Sequence, residues 1–260
     1  MYTLRFLNIM HIKIKGIILK QRNVLNEQKF ITILTAERSL MRARLKIGGQ
    51  INRNTFGNIN VLGYYEFNIF EGRFGNVIDS VEVLENFFNL RYNPKKLALA
   101  QYMCELTKMF VPSKYSAKRH LNLLLNSLWL LCYSKLKCIF VKTVFELRLI
   151  SMSGYMPNLI ACKFCCKYEK PKMFYVPMEG FLVCLECLQK NAIVEPIQVS
   201  KLVLHAMRFI IYKNDNDIFK FRLNLNQLKN LSNLTQHCVL ILLEHKPKTL
   251  LIYNQFQEEF

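Results

Sequence analysis

The chain has 260 residues and 52% hydrophobic content, enough to fill a core in one large domain or two to three small ones, which excludes wholesale disorder. Lys and Arg number 36 against 18 Asp and Glu, a formal charge of +18, so nucleic acid is the first partner class and an anionic membrane surface the second. The excess sits before residue 160: about +5 over residues 1–90, about +9 over 91–160, about +1 over 161–198 and about +3 thereafter.

The charge-free stretches Leu121 to Ser134 and Leu231 to Leu243 fall short of the roughly 18 to 20 residues a membrane helix needs and contain Asn and Ser. His11, Lys13 and Lys15 interrupt the apolar patch after Arg5 before a signal-type core can form. A cytoplasmic protein is expected. Nine cysteines, four of them in two C-x-x-C pairs, then point to metal ligands among buried thiols rather than to a disulfide framework.

Residues 11–90 alternate with period two: Ile12 and Ile14 against Lys13 and Lys15, then Phe30, Thr32 and Leu34, then Met41, Ala43 and Leu45. Further strands are predicted at Asn60 to Ile69 and Asn76 to Leu84, with turns at Gly57 and at Glu71 to Gly75. Five short strands imply a small closed barrel, because closure removes exposed edges. After Tyr92 the period becomes helical, with Asn93 as N-cap, Pro94 at the first helical position and an end near Pro112. A second helix follows Ser116 and turns Leu121, Leu124, Leu125, Leu128 and Trp129 inward, and a third, Cys138 to Met152, stops at Gly154. Helical pattern returns at Val199 to Tyr212 and Leu225 to Leu243. The fold class is therefore α+β and multidomain: a barrel over 1–90, helices over 91–160 and 191–260, and a cysteine segment inserted at 161–190.

In that segment Cys162-x-x-Cys165 and Cys184-x-x-Cys187 have the spacing at which two knuckles present four thiolates to one tetrahedral zinc, with Met173 to Val176 and Gly180 to Val183 as a connecting hairpin. Four cysteines leave no open coordination position, so the expected role is structural, one Zn²⁺ per chain. Cys166 adjoins the first pair, and either Cys165 or Cys166 meets the spacing. Cys104, Cys132, Cys138 and Cys238 lie in apolar helical patterns and read as packing residues.

No Walker A loop, G-x-S-x-G or H-E-x-x-H occurs, Asp is limited to Asp79, Asp215 and Asp217, and the five histidines are dispersed. A binding protein is a better reading than an enzyme. Arg42, Arg44 and Lys46 alternate with Met41, Ala43, Leu45 and Ile47, so one strand buries an apolar face and holds three cations about 6.6 Å apart on the other, a geometry that suits phosphates. Arg38, Arg53, Lys13, Lys15 and Lys20 extend the patch. Tyr64, Tyr65, Phe67 and Phe74 offer rings for bases, although core packing is the stronger reading for them.

The order of these pieces resembles the RecO family of bacterial DNA repair proteins. Lys15-Gly-Ile-Ile-Leu-Lys20 and Phe30-Ile-Thr-Ile-Leu-Thr35 are similar to the family's first two strands. Phe145 to Ile150, Gly154-Tyr-Met-Pro157, Cys162-x-x-Cys165 and Gly180-Phe-Leu-Val-Cys184 are similar to its helix, turn and zinc knuckle, and Leu243 to Leu250 to its closing segment. The resemblance starts at Met10, the expected first residue. Two departures stand out: Gly48 to Asn54 keeps only Arg53 of the family's loop charges, and Cys166 stands where Gly is common.

The resemblance implies an OB-fold barrel and a nucleoid-associated recombination mediator of the DNA damage response. Such a protein binds single- and double-stranded DNA, anneals complementary strands, and with RecR helps load RecA onto DNA covered by single-stranded DNA-binding protein. That protein's acidic, Phe-ended tail would meet the helical block, where Lys114, Lys118, Arg119, Lys135, Lys137 and Lys142 flank Leu- and Phe-rich helices. The alternatives are a zinc-ribbon regulator or assembly factor without annealing activity, and a metal-dependent nuclease.

Overall fold

The structure, a computed structural model, describes residues 10–24, 28–46, 59–72, 75–113 and 115–256, without the side chains of residues 10, 24, 28 and 46. Arg53, the loop at 48–54, Gly57, Phe74, Lys114 and residues 1–9 lie outside the described residues, as does the side chain of Lys46. The chain divides into two compact units, Met1–Tyr92 with Cys104–Leu125, and Asn93–Met103 with Asn126–Phe260.

Five strands, β1 (Met10–Val24), β2 (Gln28–Thr35), β3 (Ser39–Lys46), β4 (Tyr64–Gly72) and β5 (Gly75–Glu85), close into a barrel of order β1-β2-β3-β5-β4. The parallel β3–β5 pair and the antiparallel β1–β4 pair complete it, which is OB-fold topology. The core is the inward parity of each strand: Ile14, Ile18, Ile31, Ile33, Met41, Ala43, Leu45, Phe67, Ile69 and Ile78 are all buried. Each fully buried Ile or Leu contributes roughly 1.5–3 kcal/mol. Gly16 is required by a close approach, since a Cβ there would lie 2.5 Å from Ile33 Cγ2 and 2.7 Å from the Leu34 carbonyl oxygen.

Phe30 and Leu34 do not share the inner face that the alternation assigned to them. Ile31 and Ile33 fill the barrel, Phe30 is exposed, and Leu34 is buried on the outer parity. The outside is covered at that end, where the Ala117 N–H donates to the Ala36 carbonyl and the Ser116 and Ser39 hydroxyls donate to the Ala36 and Pro112 carbonyls. These bonds also explain why residues 104–125 group with the barrel.

The helix α1 (Pro94–Phe110) begins as expected, with the Lys96 N–H donating to Asn93 Oδ1 at 3.0 Å. In α2 (Lys118–Tyr133), Leu121, Leu124 and Leu128 are buried, but Trp129 is 53% exposed. The apolar stripe is narrower than the Leu-rich sequence suggests.

In the second unit, α3 (Cys138–Ile150) is buried without interruption from Phe140 to Ile150 and continues into a wide turn, Ser151–Tyr155, where Gly154 has φ +100°. A helix buried on all sides must lie in an interior, and its three internal charges are each accounted for. Glu146 accepts from Lys142 Nζ, Tyr102 Oη and Thr235 Oγ1 at 2.7–3.0 Å. Arg148 donates to the Ile210 and Lys213 carbonyls, both at 3.0 Å, and to Ile211, closing the C-terminal end of α5 (Lys201–Tyr212), and it pairs with Asp215.

Strands β6 (Asn158–Cys162), β7 (Met173–Val176), β8 (Phe181–Cys184) and β9 (Ile197–Val199) form a second sheet of order β6-β8-β7-β9, with the four-residue helix α4 (Leu185–Leu188) after β8. Val199 belongs to this sheet rather than to α5, which Ser200 caps by accepting from the Val203 N–H. The helix α6 (Leu225–Leu243) starts in a reciprocal Asn224–Gln227 capping box, and α7 (Lys248–Gln255) follows. No helix among the described residues is long and apolar enough to cross a membrane.

Candidate nucleic-acid interface and metal centre

On β3 the sequence alternation translates directly into sides. Met41, Ala43 and Leu45 are buried, Arg42 is exposed and Arg44 half-buried on the outer face. The other cations proposed for this face are not equivalent to them. Lys13 and Lys15 both pair with Glu66 of β4, and Arg38 pairs with Glu71. The hydrogen bond from Lys13 holds the Glu66 carboxyl below its ordinary range and its partner ammonium above. Solvent screens these pairs, so each lysine remains available to a competing anion.

The aromatic residues sort in the opposite way. Tyr65 and Phe67 are fully buried, Tyr65 donating to Asn86 Oδ1 and accepting from the Asn60 N–H, both at 3.0 Å. They are core residues, in line with the packing reading. The sequence reading missed Arg22 and Phe30, which face solvent beside Arg44. For Arg22 the signal is a β-bulge between Ile18 and Lys20, which no residue pattern in β1 announces, whereas Phe30 alternates with the buried Ile31 and Ile33 of its own strand.

The second constellation is the cysteine cluster. The sulfur atoms of Cys162, Cys165, Cys184 and Cys187 lie within 4.8 Å of one another. Cys162 and Cys165 flank the turn after β6, Cys184 ends β8 and Cys187 sits in α4. The parallel register Cys162↔Leu182 between β6 and β8 brings the second pair to the first, and the Cys184 N–H donates to Cys162 Sγ at 3.4 Å. Cys166, at φ +57°, is exposed and outside the cluster, so the geometry gathers Cys165 rather than Cys166.

Four sulfurs around a tetrahedral zinc at about 2.3 Å would be separated by about 3.8 Å, and Cys165 Sγ and Cys184 Sγ are 3.8 Å apart. These two sulfurs are not a disulfide, whose atoms lie about 2.05 Å apart, and all four cysteines are free thiols. Burial opposes ionisation of Cys162, yet the N–H groups of Cys165, Cys184 and Phe164 outweigh it and bring the thiol down to about 6. The chemistry of the donor set fits a soft divalent cation. Arg208 of α5 fastens this segment: it donates to the Leu159, Ile160 and Tyr168 carbonyls at 2.7–3.1 Å and lies 4.0 Å over the Tyr168 ring.

The cations assigned to a protein partner divide as well. Lys118, Arg119 and Lys135 are exposed. Lys142 is 1% exposed and held by Glu146, which corrects its placement on a basic rim. Its position inside a helix buried on all sides turns it toward a buried carboxylate, not toward solvent.

A closed OB barrel, a helical part and a four-cysteine cluster together define a multidomain α+β protein with a candidate nucleic-acid face and a group positioned to hold a metal ion. The family model described as "Recombination protein O C terminal" matches residues 91–251, more than half of the chain, and the chain belongs to the RecO family. It is similar to the DNA repair protein RecO of Acetivibrio thermocellus, 25% identical over 226 residues that cover 87% of this chain and 89% of the relative. The RecO proteins of Caldicellulosiruptor saccharolyticus (26% identity, covering 92% and 96%) and Symbiobacterium thermophilum (29%, covering 68% and 72%) are further relatives.

Proposed function

We propose that the protein is a recombination mediator in DNA repair. It binds single- and double-stranded DNA, anneals complementary strands, and with RecR assists RecA loading onto DNA covered by single-stranded DNA-binding protein, making and breaking no covalent bond. The observation that carries this reading is the β3 alternation: Arg42 and Arg44 stand outside a barrel whose core does not need them. Annealing requires a cationic surface that relieves repulsion between two phosphate backbones while leaving bases free to pair. Lys13, Lys15 and Arg38 contribute by exchanging their carboxylate partners for phosphates, and Arg53 and Lys46 are two further cations assigned to the DNA. A structural Zn²⁺ on Cys162, Cys165, Cys184 and Cys187 holds the knuckle.

The test is annealing of complementary oligonucleotides with and without single-stranded DNA-binding protein. Wild-type protein accelerates pairing, and Arg42→Ala with Arg44→Ala weakens binding without unfolding the chain. If both arginines contact single-strand phosphates, the slope of log affinity against log salt becomes shallower by about 1.4. An unchanged affinity and slope would remove β3 from the DNA surface, and absence of annealing would leave the regulator reading.

For the acidic, Phe-ended tail of single-stranded DNA-binding protein, the suited surface is Trp129 with Tyr133. Their rings are 5.7 Å apart and each is about half exposed, and exposed Lys135 follows. Trp129→Ala should weaken the isolated tail peptide about 30-fold by calorimetric titration, a loss of about 2 kcal/mol. Binding equal to wild type would move the contact elsewhere.

A further inference from the structure

The inner residues Ile14 and Ile18 of β1 would, by simple alternation, send Lys20 and Arg22 into the barrel. The bulge between Ile18 and Lys20 reverses the parity, and both become outward partners of β2. Two cross-strand rows result on the outer face: Lys20 beside Thr32 beside Arg42, and Arg22 beside Phe30 beside Arg44. Partners within a row have Cβ atoms about 4.5–5.5 Å apart, and the rows lie about 6.6 Å from one another. The Phe30 ring, 41% exposed, therefore has a cation on each flank and two more on the diagonals. Among the described residues no carboxylate pairs with Lys20, Arg22, Arg42 or Arg44, in contrast to Lys13, Lys15 and Arg38 on the same barrel.

We propose that this face is a single-strand platform, on which Phe30 stacks against an unpaired base while Arg22, Arg44, Lys20 and Arg42 hold the phosphates to either side. The inference rests on the DNA-binding reading above and adds to it the strand state selected and the residue that selects it. The four cations serve single strands and duplexes alike, because phosphates are present in both. The ring serves only single strands, whose base faces are open, and any base will do because every base has a π-face. One ring amid four cations is too little apolar area to anchor a bilayer, which separates this face from a membrane surface.

The experiment uses the full chain with labelled oligo-dT and a duplex of equal length, read by fluorescence anisotropy across a salt series, with thermal unfolding as the folding control. Phe30→Ala should lower affinity for oligo-dT by about 5- to 150-fold, leave the salt slope unchanged, and change duplex affinity by less than about two-fold. Phe30→Tyr should restore single-strand binding, and Phe30→Leu, which keeps apolar bulk without a π-face, should not. Phe30→Trp keeps the test readable if the alanine variant is unstable, because stacking on oligo-dT would quench its fluorescence.

Should Phe30→Ala and Phe30→Leu bind oligo-dT as wild type does while the Arg42 and Arg44 variant is weakened, the platform is overturned and the DNA-binding reading stands. If wild-type protein shows no salt-dependent binding to oligo-dT, both fall. Retention on phosphatidylserine vesicles that depends on Phe30, with oligo-dT binding that does not, would overturn the platform in favour of a membrane contact.

Discussion

Cys184→Ser protein is expected to carry no zinc, against one per chain in the wild type, and to lose hydrogen-exchange protection across residues 158–199. Cys184 closes β8 and contributes one of four sulfurs within 4.8 Å of one another. The second sheet consists of strands three to five residues long, too short to hold together by ladder bonds alone. Structural zinc in comparable small modules carries an apparent binding free energy of about 10–16 kcal/mol at neutral pH, which is folding free energy where no site preexists. Elemental analysis and exchange by mass spectrometry check both halves of the expectation. Cys166→Ser is the control, with metal and protection both unchanged, because its side chain lies outside the cluster. A Cys184→Ser protein with wild-type protection would show that the metal does not support the sheet.

Glu146→Ala is expected to be the most damaging single change in the helical interior. It leaves Lys142, 1% exposed, as an unpaired cation and strips acceptors from the Tyr102 and Thr235 hydroxyls. Removing one partner of a buried pair costs about 3–5 kcal/mol, which corresponds to a fall of roughly 6–20 °C in Tm for a unit of this size. Replacing both partners, Lys142→Met with Glu146→Leu, should recover most of that loss, because no buried charge then remains. Calorimetry of the three proteins decides it. A Glu146→Ala transition within about 2 °C of wild type would mean that Lys142 reaches solvent.

The elements with unambiguous local signals were legible in the sequence. The β3 alternation from Met41 to Leu45 set which residues enter the barrel, since a period of two on a pleated strand admits one answer once one face must be dry. The two C-x-x-C pairs identified the four-cysteine cluster, because two intervening residues bring both sulfurs of a pair to one side of a turn. Asn93 and Pro94 marked a helix start through an acceptor side chain followed by a residue that needs no donor.

Side chains whose surroundings come from distant segments were decided by the tertiary structure alone. Trp129 sits among leucines in sequence yet faces outward, since the width of a helix's buried stripe depends on what packs against it. Lys142 looked like a surface cation until Glu146, Tyr102 and Thr235 surrounded it. The choice of Cys165 over Cys166 followed from the parallel pairing of β6 with β8, which brings together two cysteine pairs nearly twenty residues apart in the chain and leaves Cys166 outside them. Lys20 and Arg22 reach the outer face because one extra residue in β1 shifts its register against β2. A bulge is an accommodation between two strands, and neither strand's own sequence contains it.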